Sequence, residues 1–410
     1  MENNNISVII IGGGAAGFFA AINCARNNPK CKVTIIEKTQ KLLSKVKVSG
    51  GGRCNVTHAC FDNKTLVTNY PRGNPELMGA FSRFNTEDAI KWFEEAGVEL
   101  NVEEDGRMFP VSNNSETIIH CFMQQVKQYG IEIKTGCEVT AIKKQKDNFH
   151  ITTSANEILF ADKILIAAGG YPKSVSYEWL KQTGHTIAEP VPSLFTFNIP
   201  GSDIIKLMGV SVALAKVKIK NTNLEQSGPL LITHWGLSGP AILKLSARGA
   251  RILHQMNYDF EVLINWLGDA KENIIREKLL FTQKEHAAKQ LIKFSPFTIP
   301  NRLWNYFLTK ASINEQMRWA DVSKKTINLL LQILIADVYK VKGKTTFKEE
   351  FVTCGGIKLD EIDFKTMQSR ICQGLYFAGE VLDIDGVTGG FNFQNAWTTA
   401  WIAAMDMSKL

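Results

Sequence analysis

Residues 6–37 read ISVIIIGGGAAGFFAAINCARNNPKCKVTIIE, and the pattern of this segment indicates the class of fold. Ser7–Ile11 is an almost unbroken run of β-branched residues, which is typical of a strand buried in a parallel sheet. A glycine turn follows, residues 14–28 are compatible with a helix, and Lys32–Ile36 alternates as a second strand. The order of strand, glycine turn, helix and strand predicts a βαβ unit.

The turn of this unit has the spacing Gly12-Gly13-Gly14-Ala15-Ala16-Gly17. Gly12 permits the tight turn, Gly14 allows the backbone to approach a pyrophosphate, and Gly17 lets the helix pack closely on the strand. The first amides of the helix can then bind phosphate. Glu37 ends the second strand, where it can accept hydrogen bonds from a ribose diol and disfavours a 2′-phosphate. These residues predict FAD or NAD rather than NADP, and they leave the choice between FAD and NAD open.

A second glycine-rich motif, Ser49-Gly50-Gly51-Gly52-Arg53-Cys54-Asn55, follows Lys41–Val48. Three consecutive glycines allow the backbone to press against a flat or phosphorylated ligand. Arg53 can contact phosphate, and Asn55 can form a hydrogen bond with a ring edge. The motif therefore favours a second region of contact with the nucleotide.

A third contact region lies near the C-terminus. An apolar strand ends at Gly379-Glu380, Asp383 follows, and Gly389-Gly390-Phe391-Asn392-Phe393-Gln394 begins the last apolar helix, predicted over 392–405. The N-terminus of a helix carries partial positive charge, which suits the flavin N1–C2=O edge that becomes anionic on reduction. An NAD dehydrogenase does not need so late a contact region, whereas the long FAD molecule does. The three motifs together predict FAD.

With these motifs the chain resembles the BaiN/HI0933-like flavoproteins, within the glutathione-reductase-type FAD superfamily. Further residues that carry the resemblance are Ala167-Ala168-Gly169-Gly170, Thr233-His234-Trp235-Gly236-Leu237-Ser238-Gly239-Pro240, Thr353-Cys354-Gly355-Gly356 and Gly374–Gln394. The resemblance implies non-covalent FAD, an inserted substrate domain and redox chemistry on a small organic molecule; members are described as bile-acid-intermediate reductases or aminoacetone oxidases. It also implies that Val139 contacts the adenine and that Ala168-Gly169 lines the path to the pyrophosphate. Ala167 stands where Thr is common in the family.

The predicted cofactor-binding set combines the motifs with the resemblance. Its members are Gly12, Gly14, Ala15, Ala16, Gly17, Glu37, Lys38, Lys45, Ser49, Gly50, Gly51, Gly52, Arg53, Cys54, Asn55, Val139, Ala168, Gly169, Gly170, Gly379, Glu380, Asp383, Gly389, Gly390, Phe391, Asn392 and Gln394. The sequence identifies no catalytic acid, base or nucleophile, as is usual where a flavin carries the electrons.

The predicted fold class is α/β: a Rossmann-like FAD-binding domain, with a parallel sheet, helices and a β-meander, interrupted by an insertion. Short strands alternate over 131–167, and the character of the sequence changes at Pro190–Pro200. We expect the FAD-binding domain at 1–190 and 346–410, with a substrate domain at 191–345. The insertion is predicted to be β-rich over about 191–265 and helical over about 268–340.

Composition limits the classes of protein that fit. The 410 residues carry a net charge of +7, with basic residues spread along the chain, which suits an anionic cofactor about as well as nucleic acid. No apolar run is long enough to span a bilayer, and the N-terminus reaches a strand without a signal peptide. The eight cysteines read as reduced thiols. We therefore expect a cytoplasmic protein with neither a membrane nor nucleic acid as partner; the oligomeric state stays open.

Three further groups of residues allow both a functional and a purely structural interpretation. Cys54, His58 and Cys60 lack a further ligand pair nearby, so no metal site is predicted. His234 and Trp235 either face the substrate near the flavin or close the insertion onto the FAD-binding domain. Arg72-Gly73-Asn74-Pro75 is predicted to be only a loop.

The predicted activity is hydride transfer between flavin N5 and a small organic substrate held in a cleft between the two parts. An NAD(P)H-linked reductase is favoured; no second GxGxxG follows a strand, so NADH or NADPH would visit transiently. The alternatives are an amine or amino-acid oxidase that uses O₂, a flavin-dependent tRNA-modifying protein, and a flavin-binding protein without turnover.

Overall fold

The computed structural model describes residues 5–146, 148–346 and 352–409. The chain divides into two compact units. The nucleotide unit comprises residues 1–193 and 347–410, and the inserted unit comprises 194–346, each as far as it is described. These boundaries lie a few residues from those expected above; the roles of the two domains stay predictions.

The first segment of the nucleotide unit alternates strands and helices. Its strands are β1 (Ile6–Ile11), β2 (Cys31–Glu37), β3 (Thr57–His58), β4 (Leu100–Val102), β5 (Arg107–Pro110), β6 (Glu132–Thr135), β7 (Val139–Gln145), β8 (Asn148–Thr153), β9 (Ile158–Ala161), β10 (Lys163–Ile166) and β11 (Ile187–Ser193). Its helices are α1 (Ala15–Asn27), α2 (Ser44–Gly52), α3 (Asn63–Val67), α4 (Asn74–Phe81), α5 (Thr86–Glu95), α6 (Glu116–Gln128) and α7 (Glu178–Lys181).

The inserted unit is β-rich first and largely helical afterwards, as predicted. Its strands are β12 (Thr196–Asn198), β13 (Ser211–Ile219), β14 (Glu225–Ile232), β15 (Gly236–Ser238), β16 (Asp259–Asn265), β17 (Asp337–Lys342) and β18 (Lys344–Thr345). Its helices are α8 (Pro240–Arg248), α9 (Ala250–Gln255), α10 (Glu272–Glu285), α11 (Asn301–Lys310) and α12 (Lys324–Ile335). The chain then returns to the nucleotide unit with β19 (Val352–Ile357), β20 (Ile362–Asp363), β21 (Gln368–Ser369), β22 (Leu375–Phe377) and α13 (Phe391–Met407).

The main sheet of the nucleotide unit has the order β20-β21-β22-β10-β1-β2-β6. Its five strands from β22 to β6 are parallel, and β1 lies between β10 and β2. Ile10 and Ile35 are fully buried at the centre, which explains the unbroken apolar runs in the sequence. Because parallel strands all end at one edge, the loops that follow β1, β2, β10 and β22 share that edge.

The helices α1 and α13 pack against each other and are buried over most of their length. Aromatic rings fill the space around them: the ring centre of Phe19 lies 4.5 Å from Trp92 and 5.1 Å from Trp397, and Phe122 lies 5.8 Å from Trp397. A helix that is apolar on all sides belongs in a core. The last helix of the sequence is therefore a central element of the fold.

Smaller sheets complete the nucleotide unit. β7, β8 and β9 form the predicted meander, β3, β5 and β4 form a second sheet, and β11 pairs with β19 across the insertion point. The predicted fold class is confirmed by the parallel sheet together with the antiparallel insertion.

The inserted unit has its own core. Its antiparallel sheet has the order β17-β16-β13-β14-β15-β12-β18, and alternate residues of β13, such as Val217 and Ile219, are fully buried. Trp266, Trp304 and Trp319 are buried in the same cluster, which consists of residues 195–341 alone. None of the described helices in either unit is long and apolar enough to cross a membrane.

Candidate functional site

The carboxyl edge of the parallel sheet brings the predicted motifs together. Gly12–Gly17 follows β1, Glu37 ends β2, Ala168–Gly170 follows β10, and Gly379-Glu380 follows β22. These four segments are widely separated in sequence. A ligand that extends across this edge can therefore contact all of them at once.

The turn from β1 to α1 combines tight packing with an open space. A Cβ atom on Gly12, whose φ is 121°, would clash with the carbonyl oxygen of Ala167, and one on Gly17 would clash with that of Gly12. A Cβ on Gly14 would meet no atom within 4 Å. The N-cap residue of α1 is Gly14, which has no side chain to cap the helix, so the amides of the first turn can bind an anion. The geometry fits a pyrophosphate in front of Gly14.

Glu37 braces the glycine turn. Its Oε2 accepts a hydrogen bond from the Gly13 amide at 2.9 Å, and its Oε1 accepts from the amide and hydroxyl of Thr39 at 2.9 and 3.0 Å. The neighbouring Lys38 ammonium lies 5.0 Å from the centre of the Tyr171 ring. The carboxylate thus has a structural role in addition to the ribose contact, which stays a prediction.

Glu380 connects three segments of the site. Its carboxylate pairs with Lys45 at 2.5 Å and accepts a hydrogen bond from the Thr353 amide at 2.9 Å. The Thr353 hydroxyl is buried, and within the described residues it has no hydrogen-bond partner. A Cβ on Gly170 would lie 2.5 Å from this hydroxyl. A buried hydroxyl rarely lacks a hydrogen-bond partner. The position of the Thr353 hydroxyl beside Gly170 therefore points to a ligand that forms the missing hydrogen bond.

The Ser49–Asn55 motif forms the end of α2, with Gly50, Gly51 and Gly52 at φ of 60°, 70° and 84°. The Arg53 guanidinium pairs with Glu103 at 2.5 Å and lies 3.9 Å from the centre of the Phe109 ring. Arg53 is thus engaged by a carboxylate, and its contact with phosphate stays a prediction. Asn55 is likewise engaged, because its Oδ1 accepts a hydrogen bond from the Met108 amide at 3.3 Å.

Cys54 lies within this motif, fully buried with φ of 62°. Burial raises the pKa of its thiol to about 12, against a smaller opposing effect of Ser49. The thiol therefore stays protonated near neutral pH and is a poor nucleophile. Within the described residues, His, Cys, Asp and Glu side chains form no group of three that could hold a metal ion.

The N-terminus of α13 is held from several sides. Asn392 accepts a hydrogen bond from the Gly386 amide at 2.8 Å and donates one to its carbonyl at 3.0 Å. Gln394 is buried and accepts a hydrogen bond from the Thr57 hydroxyl at 2.6 Å. The N-cap residue Gly390 has no side chain to cap the helix, so the first amides can face the anionic edge of a flavin.

Phe391 and Gly389 hold the start of α13 in place through contacts with His58. The Phe391 ring lies 4.6 Å from the His58 ring, and the His58 Nδ1 is 3.0 Å from the Gly389 carbonyl oxygen. Asp383 begins the loop, where its amide donates to the Ile357 carbonyl at 3.0 Å. Several residues predicted to bind the cofactor thus shape the backbone that would bind it.

Arg72 and Asp385 form a buried ion pair that the sequence analysis missed. The guanidinium binds both carboxylate oxygens of Asp385, and the Ser193 hydroxyl donates to the same carboxylate at 2.6 Å. Asp385 is fully buried; burial raises its pKa and Arg72 opposes that effect. The two residues are 313 positions apart, so no local pattern could show the pair. The prediction that 72–75 is only a loop is wrong for Asn74 and Pro75, which begin α4, and Arg72 supports the segment before α13.

Val139 lies beside the end of β2, and the histidine–tryptophan motif belongs to the inserted unit. Val139 begins β7 and is buried; the nearby Cys137 amide donates to the Glu37 carbonyl at 2.9 Å, so the strand starts beside the end of β2. His234 and Trp235 lie in the inserted unit before β15, with ring centres 3.9 Å apart. His234 is exposed. Its role and that of Trp235 stay predictions.

The nucleotide unit fits FAD by three observations of its own: the open space at Gly14, the Thr353 hydroxyl that has no hydrogen-bond partner among the described residues, and the start of α13 at a glycine N-cap. FAD supplies a ring that accepts and donates a hydride. Gly12–Gly17 and Glu380 would hold its extended chain, and the start of α13 would hold the ring.

Comparison with known proteins agrees with this fit. The chain is 27% identical over 414 residues to the ribosomal RNA dihydrouridine synthase of Haemophilus influenzae, covering 98% of each chain. It is 25% identical over 403 residues to the 3-dehydro-bile acid delta(4,6)-reductase of Clostridium scindens, covering 96% of this chain and 97% of the relative. The solved 3-ketosteroid-delta4-(5alpha)-dehydrogenase of Rhodococcus jostii RHA1 shares the fold, with a TM-score of 0.51 at 10% identity, over 99% of this chain and 98% of that one.

The family described as HI0933-like protein Rossmann domain matches residues 6–406, almost the whole chain. The resemblance noted from the motifs is thereby confirmed. The protein belongs to the HI0933-like family and is an FAD-dependent oxidoreductase.

Proposed function

We propose that this oxidoreductase reduces a carbon–carbon double bond conjugated to a carbonyl group. The names of the two relatives support this, because a delta(4,6)-reductase of a 3-dehydro-bile acid and a dihydrouridine synthase both describe the saturation of such a bond. One carbon of the double bond receives a hydride and the other receives a proton. NADH or NADPH supplies the hydride overall and leaves as the oxidised nucleotide.

We propose further that the substrate is a uracil ring in RNA. The distribution of charge carries this proposal: residues 194–346 contain 21 of the 47 Lys and Arg residues but only 11 of the 40 Asp and Glu residues, a net charge of +10. The rest of the chain carries 26 basic and 29 acidic residues, a net charge of −3. A polyanionic substrate accounts for positive charge confined to the inserted unit.

From the sequence, the basic residues were expected to be spread along the chain. Counting charge separately in the two units shows that the excess of positive charge lies in the inserted unit. The name of the Haemophilus relative likewise weighs against the expectation that nucleic acid is not a partner. Ribosomal RNA as substrate is consistent with the predicted cytoplasmic location. The residues of the nucleotide unit keep their predicted roles: the amides at Gly14–Ala16 hold the pyrophosphate, Glu37 holds the ribose, and the start of α13 stabilises the negative charge of the reduced ring.

Anaerobic mixing followed by RNA addition tests the proposal. NADH or NADPH should bleach the flavin band, and protein-free ribosomal RNA should restore it, with dihydrouridine detected by mass spectrometry as a gain of two hydrogens. Restoration by O₂ alone, after bleaching by an amine, would establish the oxidase alternative instead. If no donor bleaches the flavin band, the remaining alternative is a flavin-binding protein without turnover.

A small enone is the second candidate substrate. The bile-acid relative favours it, because its match extends over nearly the whole of both chains. A 3-oxo-Δ4 steroid added to the anaerobically reduced enzyme distinguishes the two. Reoxidation by the steroid and none by RNA would support the small-molecule reductase predicted from the sequence.

A further inference from the structure

In the inserted unit, some lysines are paired with carboxylates and others are not. On the sheet, Lys216 pairs with Glu225 at 2.8 Å and Lys220 pairs with Glu261 at 2.6 Å. In the helical part, Lys278, Lys284 and Lys289 are exposed, and within the described residues none of them is paired with a carboxylate. Within the described residues, the helical part therefore has three ammonium groups that no carboxylate neutralises.

Phenylalanine rings lie among these unpaired lysines. Phe281 occupies the outer face of α10, three residues from both Lys278 and Lys284, and is 63% exposed. The Lys278 ammonium lies 5.3 Å from the centre of the Phe297 ring, and the Lys289 ammonium lies 4.2 Å from the centre of the Phe294 ring. Phe294 and Phe297 are half-buried. Together these six residues form one lysine–phenylalanine surface.

We propose that the lysine–phenylalanine surface binds single-stranded RNA and so positions the RNA substrate. The inference rests on the proposed function. Proteins that hold single strands combine cations along the phosphate backbone with exposed aromatic rings on which bases stack. An apolar partner alone would not account for three unpaired ammonium groups, and a polyanion alone would not account for a phenylalanine with most of its surface in solvent.

Two triple variants with the same loss of charge test the surface, with a single-stranded oligouridylate as the probe. Lys278→Gln/Lys284→Gln/Lys289→Gln should weaken binding at least tenfold. It should also reduce the slope of log affinity against log salt by about 2, since each lost contact on a single strand contributes roughly 0.7. The control, Lys218→Gln/Lys340→Gln/Lys342→Gln, changes exposed lysines of β13 and β17 and should change binding less than about twofold.

Phe281→Ala tests the stacking separately. Because the ring is mostly in solvent, the variant should fold normally, bind the oligouridylate about tenfold more weakly and keep the salt slope of the wild type. The flavin spectrum and the rate of bleaching by NADPH should stay unchanged in all three variants, which confirms that each is intact.

The outcomes separate this inference from the proposed function. If the wild type reduces RNA but both triple variants weaken RNA binding equally, the proposed role of the lysine–phenylalanine surface is refuted and the proposed function stands. If the wild type neither binds nor reduces RNA, both are refuted. Loss of binding to phosphatidylglycerol vesicles, with RNA binding unchanged, would instead make the surface a membrane contact.

Discussion

Gly12 and Gly14 lie two residues apart in one turn, yet an alanine should have opposite consequences at the two positions. Gly14 has φ of −98° and an open space in front of it, so Gly14→Ala should lower the free energy of unfolding by no more than about 1 kcal/mol, the usual cost of alanine at an N-cap, while its methyl group occupies the place of the pyrophosphate. We expect FAD affinity to fall by about a hundredfold, since close approach of phosphate to the helix amides is lost. Titration of the apoprotein with FAD, followed by fluorescence, measures the change.

Gly12→Ala is the matched comparison. Its φ of 121° and the clash with the Ala167 carbonyl should lower the free energy of unfolding by about 3 kcal/mol or more, even without FAD. Urea denaturation of both apoproteins measures this difference. Equal losses of stability in the two variants would show that Gly14 serves packing rather than the cofactor.

The Arg72–Asp385 pair gives a prediction about pH. Arg72→Gln leaves the buried Asp385 carboxylate without its cation, which should cost about 3–5 kcal/mol of unfolding free energy at pH 8. Burial raises the pKa of Asp385, and loss of Arg72 should raise it further. A carboxyl group with a raised pKa in the folded state favours folding as pH falls, so the deficit of the variant should shrink between pH 8 and pH 5.

Urea denaturation at the two pH values checks the prediction, with Arg26→Gln as control. Arg26 pairs with Glu95 at the surface, where both side chains are nearly half exposed, and its loss should cost less than about 1 kcal/mol at either pH. A deficit for Arg72→Gln that is the same at pH 5 and pH 8 would contradict a buried, ionised Asp385.

At the scale of elements, the start of α13 depends on Asn392, which holds both the amide and the carbonyl of Gly386. Asn392→Ala should loosen the segment before the helix and move its amides away from the flavin edge. We expect reduced FAD to lose up to about tenfold in affinity relative to oxidised FAD, which lowers the two-electron potential by up to about 30 mV. A spectroelectrochemical titration measures the potential.

Asn23→Ala is a matched control for this element. Asn23 is buried near the C-terminal end of α1, the helix that packs against α13. It accepts a hydrogen bond from the Trp92 indole at 3.0 Å and donates one to the Phe19 carbonyl at 2.7 Å. Its loss should destabilise the same unit without changing the potential. An equal shift in both variants would mean that general loosening, rather than the helix end, sets the potential.

Periodicity predicted the elements well, because burial leaves a direct record in the sequence. The apolar run of β1 and the apolar last helix both appear in the structure close to their predicted bounds. The glycines of the site were also readable, since positive φ and close approach demand that residue type. Side-chain partners were not readable. The ion pairs of Arg53 with Glu103 and of Arg72 with Asp385 join residues that lie far apart along the chain, and the phosphate contact of Arg53 stays a prediction.

At the scale of the whole molecule, the two units should unfold separately. The core cluster of the inserted unit consists of residues 195–341 alone, and the FAD contacts proposed here lie in the nucleotide unit. A ligand that binds only the folded form stabilises it by about 2.7 kcal/mol at a hundred times its dissociation constant. Scanning calorimetry should therefore show two transitions, and saturating FAD should raise the temperature of only one.

Limited proteolysis during heating assigns the transitions, because fragments of 194–346 should survive after the nucleotide unit of the apoprotein has unfolded. Gly14→Ala should show the same two transitions as the wild-type apoprotein, with a smaller response to the same concentration of FAD. A single transition that moves as a whole with FAD would mean that the inserted core does not fold independently. The positive charge of that unit would then depend on the cofactor for its arrangement, and RNA affinity would have to fall when FAD is removed.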